Sequence, residues 1–181
     1  VSAADVEFWL DGGVRLRKNL FRTQQASDTA ALATGVMTSV ALYLEAGDVV
    51  TNLTVISGAT AAGTPLNYWL ALYDTSATPA LVGQTADQTT TAWAADTAKT
   101  LALVTPYTVQ TTGIYYVGVM VKATTPPTLM GVTLGRAAAA GAVATGQKVL
   151  ARTSGSTLTT TAPATIASPT TVTTVPLVIA S

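Results

Sequence analysis

Asn67-Tyr68-Trp69-Leu70-Ala71-Leu72-Tyr73 is the stretch on which the fold turns. Read with a period of two, it sets Trp69 and Ala71 on one side and Tyr68, Leu70 and Leu72 on the other. Turn-forming Asp, Ser and Pro close it at residues 74–79, which makes it a short strand with one face expected to be core. The same composition recurs in both directions. Residues 35–44, 49–57, 99–104 and 114–122 are rich in Val, Ile, Leu, Tyr and Thr, whose side chains suit a pleated, half-buried surface. Further strands are expected at 128–134, 148–152 and 171–179. Between these runs stand Glu45-Ala46-Gly47-Asp48, residues 58–65, Thr111-Thr112-Gly113 and residues 124–127, which carry the residues that turn a chain. Eight or nine short strands at this spacing predict an all-β, jelly-roll-like β-sandwich. Alanines at 137–144 favour a helix by propensity, but Gly135, Gly141 and Gly146 allow at most one turn.

The residue inventory excludes much chemistry. The 181 residues are 49% hydrophobic and 10% charged, with zero formal net charge and neither His nor Cys. There is thus no Ser-His-Asp triad, cysteine nucleophile or disulfide, and no zinc or copper site of the usual ligands. The reading is of a protein that is not an enzyme and holds no cofactor or metal. A charged fraction well below the ~25% of ordinary soluble domains leaves little to keep copies apart, so a surface covered by copies or partners is expected. Basic residues are too dispersed for nucleic acid, and no apolar stretch is long enough to predict a membrane span.

Charge is concentrated at one end: seven of the eighteen charged residues fall within residues 1–22. There Val6-Glu7-Phe8-Trp9-Leu10 and Val14-Arg15-Leu16-Arg17-Lys18 flank Asp11-Gly12-Gly13, a strand–turn–strand pattern. We read 1–22 as an N-terminal assembly arm and 23–181 as the sandwich domain. Phe8, Trp9, Leu10, Val14, Arg15, Leu16 and Arg17 are the residues through which the arm would engage a partner.

Other constellations have a structural reading beside the functional one. Residues 58–64 have the glycine spacing of a phosphate loop but lack its lysine, and read as a plain turn. Asp74, Asp87 and Asp96 lie in expected turns, where aspartate caps the backbone. Trp93 either stacks sugars on the surface or plugs the end of the sandwich. If the surface recognises a ligand, Trp93, Asp87 and Asp96 are the residues expected to do so. Threonine, spread through the strands, fills solvent-facing positions without charge.

Several ordered motifs resemble a known module. They are Leu42-Tyr43-Leu44-Glu45-Ala46-Gly47-Asp48-Val49-Val50-Thr51-Asn52-Leu53, Ser57-Gly58-Ala59-Thr60-Ala61, Tyr68-Trp69-Leu70-Ala71-Leu72-Tyr73-Asp74, Gln84-Thr85-Ala86-Asp87, Thr91-Ala92-Trp93-Ala94-Ala95 and Gly113-Ile114-Tyr115-Tyr116-Val117-Gly118. Together they resemble a β-sandwich module of structural, minor tail proteins of tailed phages infecting actinobacteria. The likeness covers residues 19–181 and implies a virion protein without catalytic residues. It also implies a homo-oligomer, a trimer by the habit of such modules, among other virion proteins of the tail. Two roles are expected to compete: a tail or fibre module meeting a host-surface glycan, and a decoration protein on the major capsid protein.

Overall fold

The structure, a computed structural model, describes residues 16–21, 24 and 27–181. The predicted all-β sandwich is what the chain forms. The long strands β3 (Met37–Leu44), β5 (Gly63–Tyr73) and β8 (Gly113–Thr125) make the centre of a six-stranded sheet, with β6 (Leu81–Gln84), β10 (Ala151–Ser154) and β11 (Thr170–Thr171) outside them. Its order is β11-β10-β3-β8-β5-β6. A four-stranded sheet, β1-β13-β4-β7, packs across it. This sheet comprises β1 (Arg17–Lys18), β4 (Val49–Ile56), β7 (Ala98–Thr108) and β13 (Val178–Ala180). A small sheet of β2 (Ser27–Asp28), β9 (Met130–Thr133) and β12 (Thr174–Pro176) has the order β12-β9-β2. All strand pairs are antiparallel. The alanine segment contributes a single helical turn, α1 (Ala137–Ala140).

Several elements differ from expectation. The segment 171–179 is not one strand; it is β11, β12 and β13 in succession, because the chain there steps through all three sheets. β5 begins at Gly63, inside the expected turn, and the register shift between Pro65 and Asn67 accommodates a proline that cannot donate to the ladder. β2 and β6 had no period to announce them.

The inner face of the six-stranded sheet packs as a sandwich should. Val40, Leu42, Tyr68, Leu70, Leu72, Val117 and Val119 meet Val50, Leu53, Val55, Leu101, Leu103 and Val178 of the opposite sheet in one buried cluster. One face of β5 was expected to be core; both are buried. Trp69, Ala71 and Tyr73 are fully buried with Met37, Tyr116 and Met120 in a second cluster. Residues 155–169 are the reason: this threonine-, alanine- and proline-rich segment lies over the sheet and inserts Leu158, Ala162 and Ile166. The cover is fastened by polar tips. Trp69 Nε1 donates to the Thr159 carbonyl at 2.7 Å, Tyr73 Oη to that of Pro163 at 2.9 Å, and Gln84 both donates to Thr160 O and accepts from Ala162 N. Gly118 lies beneath, where any Cβ would collide with the Met37 thioether.

Candidate interaction surfaces

The structure describes only part of the expected arm. Phe8, Trp9, Leu10, Val14 and Arg15, and with them the proposed turn, lie outside the described residues. Leu16 and Arg17 are described, and Arg17 is already part of the sandwich. Arg17 and Lys18 pair with Ala180 and Ile179, adding an edge strand to the four-stranded sheet. Asn19 continues the attachment, donating through Nδ2 to Pro176 O and accepting from Val178 N. The boundary after Arg22, drawn from charge density, therefore does not separate body from arm in space.

Arg17 shares the inward side of its sheet with Ala180 and Leu53. Its guanidinium reaches the β3–β4 turn, with Nη2 2.5 Å from Glu45 Oε2 and Nε 2.7 Å from Asp48 Oδ2. The bond to Asp48 is the largest influence on the guanidinium; it and the Glu45 contact outweigh partial burial and raise its pKa further. Asp48 Oδ2 also accepts from Glu45 N, so the two carboxylates form a shaped receptor for Arg17. The acidic pair was visible in the sequence, but its partner stands 28 and 31 residues away.

The three expected surface-recognition residues do not form a platform. Trp93 is 1% exposed and belongs to the inner core, its ring 5.5 Å from that of Tyr68. Lys99 lies over both rings and donates to Ala92 O, so Trp93 plugs the sandwich end and presents no face to a sugar. Asp87 accepts from Asn67 Nδ2 at 2.6 Å and from Tyr68 N at 3.0 Å, which engages both carboxylate oxygens internally. Asp96 is exposed in a left-handed turn at φ 49°, a conformation that aspartate tolerates.

Other candidates also resolve into structure. The segment resembling a phosphate loop is filled by the chain's own carboxylate: Asp28 accepts from Ala59 N at 2.6 Å and from Thr128 Oγ1 at 2.9 Å. A Cβ on Gly58 would overlap that carboxylate, which explains the glycine and leaves no room for a phosphate. Asp74 accepts from Ser76 Oγ, Ser76 N and Ala80 N. Burial opposes its charge, but these bonds together hold its pKa below the ordinary carboxylate range. Among the described residues no group of three His, Cys, Asp or Glu could hold a metal, and no helix is long and apolar enough to cross a membrane.

What the exterior does offer is a flat face with little charge. On the outer side of the four-stranded sheet, Lys18, Ile179, Thr54 and Thr100 form one cross-strand row, with Asn52, Ala102, Ile56 and Ala98 beside it. Lys18 is the only charged residue of these eight. Nearby, Val104 is 74% and Val49 54% exposed. On the opposite side, a cleft of about 310 Å³ opens between the sheet (Ala41, Ile114) and the segment carrying Val143, Lys148 and Leu150.

Set beside known proteins, the chain matches no family model and no curated protein.

Proposed function

We propose that the chain is a non-enzymatic structural protein of a phage particle, working through contacts with copies of itself and with neighbouring virion proteins. The observation that carries this reading is the nearly uncharged outer face of the four-stranded sheet, with Val49 and Val104 exposed nearby. On a free protein such a face invites association; in a fixed array it becomes a subunit contact. The motifs quoted above resemble tail modules, so a minor tail or fibre module is the role we assign. With Trp93 buried and Asp87 engaged internally, attachment to a host glycan would have to use other side chains, and the reading rests on assembly.

A second role, decoration of the capsid shell, is favoured by one observation. The strand that follows residues 1–15 is β1, at a sheet edge beside β13. A segment continuing from an edge strand is well placed to add to a partner sheet.

Cryo-electron microscopy of the particle tests both. A few copies at the tail are expected; density repeated over the icosahedral shell replaces the tail role with decoration, and absence of the chain from purified particles overturns the virion reading. Sedimentation of the purified protein should show self-association, and a persistent monomer at high concentration would remove the argument from the outer face.

A further inference from the structure

Among the described residues, the buried Arg152 has no counter-ion. It lies in β10, 9% exposed, with its guanidinium 3.9 Å from the centre of the Tyr116 ring. Across the ladder it faces Ser39, and Ser154 follows two residues on, along the same side of the sheet. Arg152 Nε, Ser39 Oγ and Ser154 Oγ are all sealed from solvent, and none has a hydrogen-bond partner. Three polar groups in one neighbourhood thus lack partners, in a protein that satisfies most of its buried polar atoms.

No described carboxylate comes within ion-pair distance of Arg152. Glu45 and Asp48 hold Arg17; Asp28, Asp74 and Asp87 accept from the groups named above. The Tyr116 ring offers the guanidinium its electron-rich face, which compensates in part. Burial nevertheless depresses the Arg152 pKa, the nearby Tyr116 opposing that shift. A buried charge left this way is strongly destabilising, and an anion arriving from outside would relieve it.

The geometry selects the anion. With one face of the guanidinium stacked on Tyr116, its planar edge of N–H donors remains for recognition, and that edge matches a carboxylate through two parallel bonds. The sealed hydroxyls of Ser39 and Ser154 lie along the same side of the sheet. One positive charge is balanced by one negative charge, whereas a phosphate dianion would leave excess charge in a poorly solvated place. The terminal nitrogens have no internal partner and are not among the sealed atoms, so they are the point of entry.

We propose that Arg152, flanked by Ser39 and Ser154 and backed by Tyr116, is a receptor site for a single carboxylate, the group that an Asp or Glu side chain of a neighbouring protein brings. The assignment goes beyond the role in a particle and stands whether the neighbour belongs to tail or shell. Acetate is the probe. Thermal unfolding of the full chain is compared in sodium acetate, chloride and phosphate at equal ionic strength, with NMR of the Arg152 Nε–H and Gly118 amide signals during acetate titration. Acetate is expected to raise the melting temperature by about 2–4 °C over chloride, with saturable shifts of both signals and no greater effect from phosphate. Arg152→Met should abolish the acetate response and, in chloride, melt at or above the parent.

Equal melting in acetate and chloride without saturable shifts means that the three groups hold an internal water only, and overturns the proposal. So does an undiminished acetate response in Arg152→Met, or a larger response to phosphate than to acetate. Should Arg152→Met fail to fold, Arg152→Lys keeps the charge and loses the planar fork. It is expected to lose at least half the acetate response, and an unchanged response overturns the assignment.

Discussion

The two faces of the six-stranded sheet are buried by different means. The inner face meets a second sheet, and its contacts are aliphatic: Leu42, Leu70, Leu72, Val117 and Val119 against Leu53, Val55, Leu101 and Val178. The outer face at β5 is covered by an irregular segment that supplies Leu158, Ala162 and Ile166 to the cluster. That is too little apolar surface to hold a loop by burial alone. The sheet makes up the difference with amphipathic side chains. Trp69 and Tyr73 bury their rings and pass their polar tips to backbone carbonyls at 159 and 163, so a segment outside regular sheet pairing still has carbonyls satisfied. A sandwich can therefore acquire a third layer without a third sheet, provided that the residues beneath are aromatic donors rather than aliphatic.

The largest expected effect comes from removing one tryptophan from each face. Trp69→Ala and Trp93→Ala should each cost about 3–5 kcal/mol, measured by denaturant unfolding. The two should separate in how they fail. Trp93→Ala opens the inner core and should lower the midpoint of a single transition. Trp69→Ala should also free residues 155–169, seen as proteolytic cleavage there before global unfolding. Trp69→Phe isolates the indole bond to Thr159 O and should cost about 1–2 kcal/mol. If cleavage in that segment is the same in both alanine variants, the outer layer is not an independent unit.

Truncation comes next. Removing residues 1–15 should leave the sandwich intact, whereas removing 1–18 strips β1 from β13 and leaves Glu45 beside Asp48 without Arg17. Arg17→Met should cost about 1–3 kcal/mol, since hydrogen bonds to charged groups in a partly buried setting are worth roughly that. Equal stability of the two truncations would mean that β1 adds nothing to the fold.

How much of this was legible in the sequence follows from range. Runs with a period of two announced β3, β4, β5, β7 and β8, and hence the sandwich, because alternation is a local signal. The outer layer left no such trace. Residues 155–169 carry no charge and fall in none of the expected strands, and Trp69 gave no sign that its polar tip would meet a carbonyl 90 residues later. The Arg17 clamp was visible only as halves, a basic strand and an acidic turn. Arg152 stood only as the end of an expected strand, 148–152, since its burial depends on the sheet neighbours it acquires in β3, β8 and β11 rather than on its own context.

Alkali gives a smaller effect and touches both faces. Burial raises the pKa of Tyr68 on the inner side and of Tyr73 and Tyr116 on the outer, and burial together with the adjacent Tyr115 pushes Tyr107 up to about 12. A phenol whose pKa is raised by folding favours the folded state below the unfolded value near 10, and that contribution is lost as pH rises through the folded value. Phenolate absorbance from these four residues should therefore appear together with loss of the tertiary circular dichroism signal. Smooth titration of these four tyrosines near pH 10 with the fold intact would contradict the burial of both layers.

The smallest effect should be confined to one layer. Asp74 caps the turn that carries residues 79–81, and these fasten the outer segment: Leu81 N donates to Ala164 O, Ile166 N to Pro79 O, and Ala80 bridges to Thr165. Its folded pKa lies below the ordinary value, so its contribution is present above the unfolded value near 4 and is lost as pH falls through the folded one. Acid should loosen the outer cover that Asp74 helps to hold, while the aliphatic core around Leu70 and Val119 stays closed. Hydrogen exchange at pH 3 against pH 6, corrected for the intrinsic rate, should show reduced protection at Leu81 and Ile166 and little change at Leu70 and Val119. Asp74→Asn should reproduce the loss at pH 6, at about 1 kcal/mol, because the amide oxygen still accepts but no longer carries charge. Uniform loss of protection over both faces would show that the two layers open as one, and that the outer cover is no more separable than the sheet on which it lies.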